Sequence, residues 1–325
     1  MSRRVLFLLA ILSSGVYGQQ QPAPTQRIAY IKDKKVSVVL HESDLIVSGL
    51  DGKDRKLISE LAFFPTWSPD GKRLAYFGQA SAATWREMPQ LGVMLYDFTS
   101  RKSTMLLDVK SMGPAQAAAW SPDGKQLAFA IVDKHKSRLV MIDVATGKTQ
   151  TVNFSGGIEC ASDPNWAPDG KSLVVYECAK DKRGLALIDP GGRLLRRLTE
   201  PEAGGFDRFP VWSPDGLAVA FVSSRGDAGK PDPERRRRVS VYLIKADGTG
   251  LRVLVTHNEL SMLFPSWSSD GKLLAVEAMK HGVYFQQSDF KSIGSKVIVL
   301  NMADGHVLTT LGDNTEQPAL APMPK

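Results

Sequence analysis

Three histidines, His41, His257 and His281, are the imidazoles of this chain that could jointly hold a metal ion. Neutral imidazole nitrogens are ordinary ligands for zinc, but no short ligand spacing links these three. Five carboxylates, Glu159, Asp163, Asp207, Glu259 and Glu316, could take a cation or a basic peptide if the fold converged them; simple solvation is the other reading. Arg235, Arg236, Arg237 and Arg238 follow Pro231-Asp232-Pro233-Glu234. Such a run either pairs bidentately with an acidic partner or with phosphates, or is a solvated stretch of charge. Trp85 with Arg86, and Tyr284 with Phe285, are either aromatic anchors for a partner or packing for their own loops. The chain has no GxSxG elbow and no Gly-rich phosphate loop, and no residues form a nucleophile–base set. No catalytic residue and no cofactor is therefore expected, beyond a cation that a central channel could take.

These groups must be positioned by a repeat. The phrase Phe64-Pro65-Thr66-Trp67-Ser68-Pro69-Asp70-Gly71-Lys72-Arg73-Leu74-Ala75-Tyr76 returns around Trp120, Trp166, Trp212 and Trp267, each Trp four residues before a Gly. Each copy reads as strand, tight turn, strand. Proline sets φ near −65° at the first corner, Asp70, Asp123, Asp169, Asp215 and Asp270 fit the second, and glycine supplies the left-handed residue of a three-residue hairpin loop. The tryptophans precede the turns, where a large ring packs between neighbouring sheets. Their spacings are 53, 46, 46 and 55 residues. Units of roughly 40–50 residues with four short strands each define a β-propeller, since one small sheet cannot bury both faces alone.

The ends complete the count. Arg27-Ile28-Ala29-Tyr30 matches Arg73-Leu74-Ala75-Tyr76 but lacks a preceding turn, and Gln317–Pro322 matches Phe64–Pro69 with no strand after it. The expectation is an all-β, six-bladed propeller closed by pairing of the N- and C-terminal strands in one blade, 317–322 supplying the inner strand and 27–60 the other three. Closure of this kind removes an open sheet edge. The turns then leave one face of the ring, and the loops between second and third strands leave the other. Those loops are short in the second and third units. They are long in the split unit (Ile31–Ser43) and in units one (Gly78–Leu91), four (Ser223–Arg238) and five (Ala278–Ser295), which are ring neighbours. His41, His281, the arginine run and both aromatic pairs fall on these long loops, and the five carboxylates and His257 on the connections leading into inner strands.

Residues 1–18 read as a cleaved secretory signal: Arg3 and Arg4, an apolar run Val5–Leu12, and small residues at Val16-Tyr17-Gly18. The run is too short to span a bilayer, which takes about 20 residues. Residues 19–26 are a Gln/Pro-rich lead-in and 27–325 one domain. Cleavage lowers the formal charge from +7 to +5, which does not suggest a nucleic-acid binder. Export makes a disulfide accessible to Cys160 and Cys178. If Ala167 faces Lys171 across a three-residue loop, these two cysteines face one another.

The phrase WSPDGKRLAY, repeated at this spacing behind an export signal, resembles the TolB-type (WD-like) propeller repeat family. The resemblance covers residues 27–322 and corresponds to the C-terminal propeller of periplasmic TolB without its N-terminal α/β domain; prolyl-oligopeptidase propellers share the repeat. It implies a periplasmic or secreted, monomeric, non-enzymatic scaffold that binds an envelope or secreted protein partner through the long-loop face. The alternative is a hydrolase or lyase acting on extracellular glycan or peptide at the channel mouth.

Overall fold

The computed structural model describes residues 26–323 apart from 34–42, 80–90, 110–114, 134–135, 180–181, 202–204, 226–238 and 281–293. Every regular element among the described residues is a strand, and no helix is long and apolar enough to cross a membrane. The chain opens with β1 (Arg27–Asp33), β2 (Ser43–Gly49) and β3 (Lys56–Ser59). Blade 1 follows as β4 (Ala62–Trp67), β5 (Arg73–Gln79), β6 (Leu91–Asp97) and β7 (Lys102–Asp108). Blade 2 is β8 (Ala115–Trp120), β9 (Gln126–Asp133), β10 (Lys136–Asp143) and β11 (Thr149–Thr151). Blade 3 is β12 (Ala161–Trp166), β13 (Leu173–Glu177), β14 (Leu185–Ile188) and β15 (Leu194–Arg197). Blade 4 is β16 (Asp207–Trp212), β17 (Ala218–Ser223), β18 (Ser240–Lys245) and β19 (Arg252–Val255). Blade 5 is β20 (Leu260–Trp267), β21 (Leu273–Lys280), β22 (Lys296–Asn301) and β23 (Val307–Thr310), and β24 (Thr315–Leu320) ends the chain. The strands form six antiparallel four-stranded sheets, the sixth in the order β24-β1-β2-β3.

The sixth blade therefore joins the two ends, with its inner strand at Thr315–Leu320 rather than at 317–322. Ile28 pairs with Leu320 and Ile31 with Glu316. The Gln26 side chain donates to the Ala321 carbonyl at 2.6 Å, and the Ala321 N–H to the Arg27 carbonyl at 2.9 Å. Arg27 adds a third tie: its guanidinium lies 4.8 Å from the ring centres of both Trp67 and Phe98 and donates to the Gly71 carbonyl at 3.0 Å. Arg73 repeats this at the next junction, over Trp120 at 4.9 Å and to the Gly124 carbonyl at 3.2 Å.

The repeated turn is one residue longer than expected. Ser68 N–H donates to the Arg73 carbonyl and Gly71 N–H to the Ser68 carbonyl, each at 2.9 Å, enclosing a four-residue loop, Pro69–Lys72. Asp70 holds it by accepting from Ser68 Oγ at 2.6 Å and the Lys72 N–H at 3.0 Å. Gly71, Gly124, Gly170, Gly216 and Gly271 take φ of 66–71°, the left-handed conformation that glycine adopts without a Cβ penalty. A Cβ at Gly124, Gly170, Gly216 or Gly271 would also lie 3.7–3.9 Å from the proline of the preceding turn (Pro69, Pro122, Pro168 or Pro214). The turns thus form a belt around one end of the ring. Each tryptophan fills a blade junction: Trp67 packs with Ala29, Ile31 and Leu45 of the split blade, and Trp120 with Ala75 and Phe77 of blade 1. At the sixth junction Leu320 takes that place against Ala275 and Val297 of blade 5.

Candidate functional site

Every inner strand carries a bulge three to two residues before its tryptophan, or before Leu320 in the closing blade. Pairing skips there from Phe63 to Thr66, Ser162 to Asn165, Arg208 to Val211 and Leu263 to Ser266. In five blades the unpaired dipeptide ends in proline, which has no N–H to offer the ladder and so is tolerated at a bulge. The residue before it takes a left-handed conformation: Phe64 (φ 52°), Asp163 (50°), Phe209 (53°), Phe264 (45°) and Gln317 (47°). For non-glycine residues this costs about 1 kcal/mol or more each, which neighbouring contacts must offset. The backbone N–H of such a residue is met from the preceding blade at three junctions. Gln317 N–H donates to Glu277 Oε2 at 3.1 Å, Phe64 N–H to Gln317 Oε1 at 2.7 Å, and Phe209 N–H to Asp163 Oδ2 at 3.3 Å.

These dipeptides wall a central cavity of about 180 Å³. Phe64, Phe209 and Phe264 reach into it from blades 1, 4 and 5, with ring centres 6.2 Å apart for Phe64–Phe264 and 4.4 Å for Phe209–Phe264. Pro65, Pro164, Pro210, Pro265 and Pro318 line the same wall, with Asp163, Asn165 and Gln317 as its polar members. Gln317 Oε1 is occupied by the Phe64 N–H and Asn165 Oδ1 by the Trp212 N–H at 2.9 Å, so the NH₂ ends of both amides are the groups left for an occupant.

The end of the cavity on the long-loop face carries buried charge. Asp163, 2 % exposed, is gripped bidentately by Arg208 at 2.9 and 3.0 Å, and that guanidinium lies 5.1 Å from the Tyr176 ring and 4.8 Å from that of Phe209. Asp207 is fully buried; it accepts from Ser223 Oγ at 2.6 Å and pairs with Arg225 through both oxygens. Glu177 binds Arg197 at 2.8 and 2.9 Å. On the opposite arc Glu277, 2 % exposed, and Glu316 approach Asp33. Burial pushes Glu277 up to about 8, with the charge of Asp33 adding to it. Burial, then the charges of Glu277 and Asp33, pushes Glu316 up to about 9.

Of the five carboxylates expected on connections at the mouth, Glu159 and Glu259 are exposed and precede β12 and β20, whereas Asp163, Asp207 and Glu316 lie within inner strands. Only Asp163 lines the cavity. Asp163 and Asp207 are buried and arginine-paired, so the solvated reading does not hold for them. His257 Nδ1 accepts the Glu259 N–H at 3.0 Å. Among the described residues no His/Cys/Asp/Glu group could hold a metal ion. His41, His281, Trp85, Arg86, Arg235–Arg238, Tyr284 and Phe285 lie outside the described residues.

Cys160 and Cys178 are joined as a disulfide, Cα to Cα 5.2 Å. The register differs from the one expected: Ala167 pairs with Ser172 rather than Lys171, and the extra residue in the bulge between Ser162 and Asn165 then restores Cys160 opposite Cys178. Sequence reasoning missed Phe64, Phe209, Phe264 and Gln317 as cavity walls, and Glu177, Arg197, Arg208, Arg225 and Glu277 as members of the charged rim. A proline at a fixed offset inside a strand was the available signal for the first group.

The strands define a six-bladed propeller closed by its own termini. Residues 86–324 match the TolB beta propeller domain family, and the chain belongs to that family. It is similar to TolB from Acinetobacter baumannii at 20 % identity and a TM-score of 0.69, over 93 % of this chain and 68 % of that one. A putative TolB from Agrobacterium tumefaciens matches at 20 % identity and a TM-score of 0.64, over 92 % and 95 %. A chain of a nidogen/laminin complex matches at 9 % identity and a TM-score of 0.60, over 91 % and 98 %.

Proposed function

We propose that this chain is an exported, non-enzymatic binding scaffold of the cell envelope, with residues 1–18 as the export signal and 27–325 as one domain. It engages a protein partner through the face bearing the long second-to-third-strand connections. The observation that carries this reading is where those connections fall. The segments between β1 and β2, β5 and β6, β17 and β18, and β21 and β22 are long, whereas β9 and β10 are joined by only 134–135. The four blades concerned are neighbours in the ring, and their long connections leave the end at which the cavity carries its charged rim. Loops on a rigid scaffold are where binding concentrates.

The cavity behind them suits one apolar or aromatic side chain of the partner, held among phenylalanine rings, with backbone carbonyls accepting from Gln317 and Asn165. Similarity to TolB chains supports an envelope location, and the match to a chain of the nidogen/laminin complex accords with a protein partner.

The test is a crosslinked pull-down from native envelope extract read by mass spectrometry. Deleting Pro231–Arg238 should preserve the fold while weakening capture of a specific partner at least several-fold. Unchanged capture would remove the long-loop reading.

A further inference from the structure

Arg208 is held so that one edge of its guanidinium is occupied and another is presented. The Asp163 carboxylate takes Nε at 2.9 Å and Nη2 at 3.0 Å, which is the side-on fork. Both Nη1 hydrogens and the second Nη2 hydrogen remain, and Nη1 with Nη2 forms the end-on fork that fits another carboxylate. The plane is fixed from its two faces by Tyr176 and Phe209, whose ring centres lie 5.1 and 4.8 Å from Cζ. The Arg208 side chain keeps 25 % of its surface exposed and that of Asp163 only 1 %, so the open part of the pair is the guanidinium.

Two further groups come to this edge. The Asp207 N–H donates to the Arg183 carbonyl at 3.3 Å, which sets the exposed Arg183 beside the strand that carries Arg208. Tyr176 lies opposite Leu185, which packs with Trp212 and Val219 of blade 4, so its ring leaves the sheet on the side of that blade. Burial pushes the Tyr176 phenol up, and the charges of Arg208 and Arg183 draw it back; both cations thus act on one hydroxyl. Asp207 is spent on Arg225. With Asp163 set against Arg208 and Asp207 against Arg225, Arg183 adds a single positive charge, which a monoanion balances. Asp163 and Phe209 also line the central cavity, so a ligand on the open fork sits at its edge.

We propose that Arg208, Arg183 and Tyr176 form a carboxylate-binding site between blades 3 and 4, which takes an acidic side chain of the partner next to the apolar side chain that enters the cavity. The inference rests on the protein-partner reading above and gives the chemistry of its anchor. Asp163 and the two rings hold the fork before the ligand arrives, which lowers the ordering cost of binding.

The experiment is ligand-observed NMR titration of the full mature chain with acetyl-Phe-Glu-amide, acetyl-Phe-Gln-amide and acetyl-Phe-phosphoserine-amide. At low ionic strength the glutamate peptide should bind about fivefold tighter than its glutamine twin, the worth of one charge-assisted pair at a partly exposed site. Arg208→Lys keeps a charge for Asp163 but has no second fork, and Arg183→Gln leaves the buried pair untouched; each should bring that ratio to about two or less. If the lysine variant does not fold, Asp163→Asn/Arg208→Met takes its place with the same expectation. Equal binding of the glutamate and glutamine peptides, binding of neither, or a preference that survives both variants overturns the proposal. Tighter binding of the phosphoserine peptide than of the glutamate peptide overturns the assignment to a carboxylate. The two readings fail separately: the pull-down with Pro231–Arg238 deleted tests the long-loop face, and the peptides test this site alone.

Discussion

Replacing Asp163 by alanine removes three things at once. Its carboxylate holds Arg208 through two bonds of 2.9 and 3.0 Å, it accepts the Phe209 N–H at 3.3 Å, and it sits at φ 50°. The Asp163 side chain is 1 % exposed and that of Arg208 25 %, so the guanidinium left behind has little water to replace its partner. Breaking a buried ion pair from one side costs about 3–5 kcal/mol, and placing alanine in the left-handed region adds about 1–2. The expected destabilisation is about 4–7 kcal/mol for Asp163→Ala. Asparagine tolerates left-handed backbone and keeps one acceptor oxygen, so Asp163→Asn should cost about 2–3 kcal/mol. Removing both charges should recover much of the loss, placing Asp163→Asn/Arg208→Met within about 2 kcal/mol of the parent. Urea unfolding followed by tryptophan fluorescence measures all of these, and the coupling comes from the double-mutant cycle. An alanine variant losing less than about 1 kcal/mol, or a cycle with coupling below about 0.5, would refute the assignment of this pair as a structural clamp on the channel wall.

Two further outcomes follow from the closures of the fold. Reducing Cys160–Cys178, or replacing both cysteines with serine, opens a loop with a sequence separation of 18. It should cost about 3 kcal/mol by chain-entropy reasoning, measured as a lowered urea midpoint that reoxidation restores. Arg27→Ala should cost about 2–3 kcal/mol, because it removes a guanidinium stacked on two rings and bonded to the Gly71 carbonyl. Arg73→Ala, which removes the same device one junction later, serves as the control. Limited proteolysis should release the N-terminal segment only from the Arg27 variant.

The architecture was legible because the repeat is built from local rules. Proline, aspartate and glycine set the turn, tryptophan sets the junction, and neither depends on distant residues. The unmatched strands at the two ends then forced the ring to close on itself. The turn length was not legible, since loops of three and four residues accept the same Pro-Asp-Gly; only the carbonyl of Arg73 facing the Ser68 N–H decides between them. The cysteine pairing came out the same under either register because the bulge in β12 offsets the longer turn. The rim was hidden for a different reason. Glu177 meets Arg197 across 20 residues and Asp163 meets Arg208 across 45, and no periodicity marks such partners. Pro65, Pro164, Pro210, Pro265 and Pro318 did mark the wall, as prolines where a strand interior should exclude them.

The bulge explains why the same position carries different chemistry in each blade. Outside the ladder, the backbone at Phe64, Asp163, Phe209, Phe264 and Gln317 pairs with no neighbouring strand. What these side chains must fit is the contact each makes across its own junction, a ring packed on the core for the phenylalanines and a polar bond to the next blade for Asp163 and Gln317. Buried charge at this rim is nevertheless cancelled rather than displayed. Asp163, Asp207 and Glu177 are each matched by an arginine, and Glu277 and Glu316 are pushed towards holding their protons at neutral pH. A cavity with so little net charge cannot steer a partner from a distance. Selection inside it must rest on ring packing and on the two amide donors, while any long-range attraction must come from groups outside the cavity. The repeated turn and the variable wall thus divide the labour within one inner strand: its end at the belt, where Asp-Gly recurs in all five copies, holds the ring together, and its start, at the rim, differs from blade to blade.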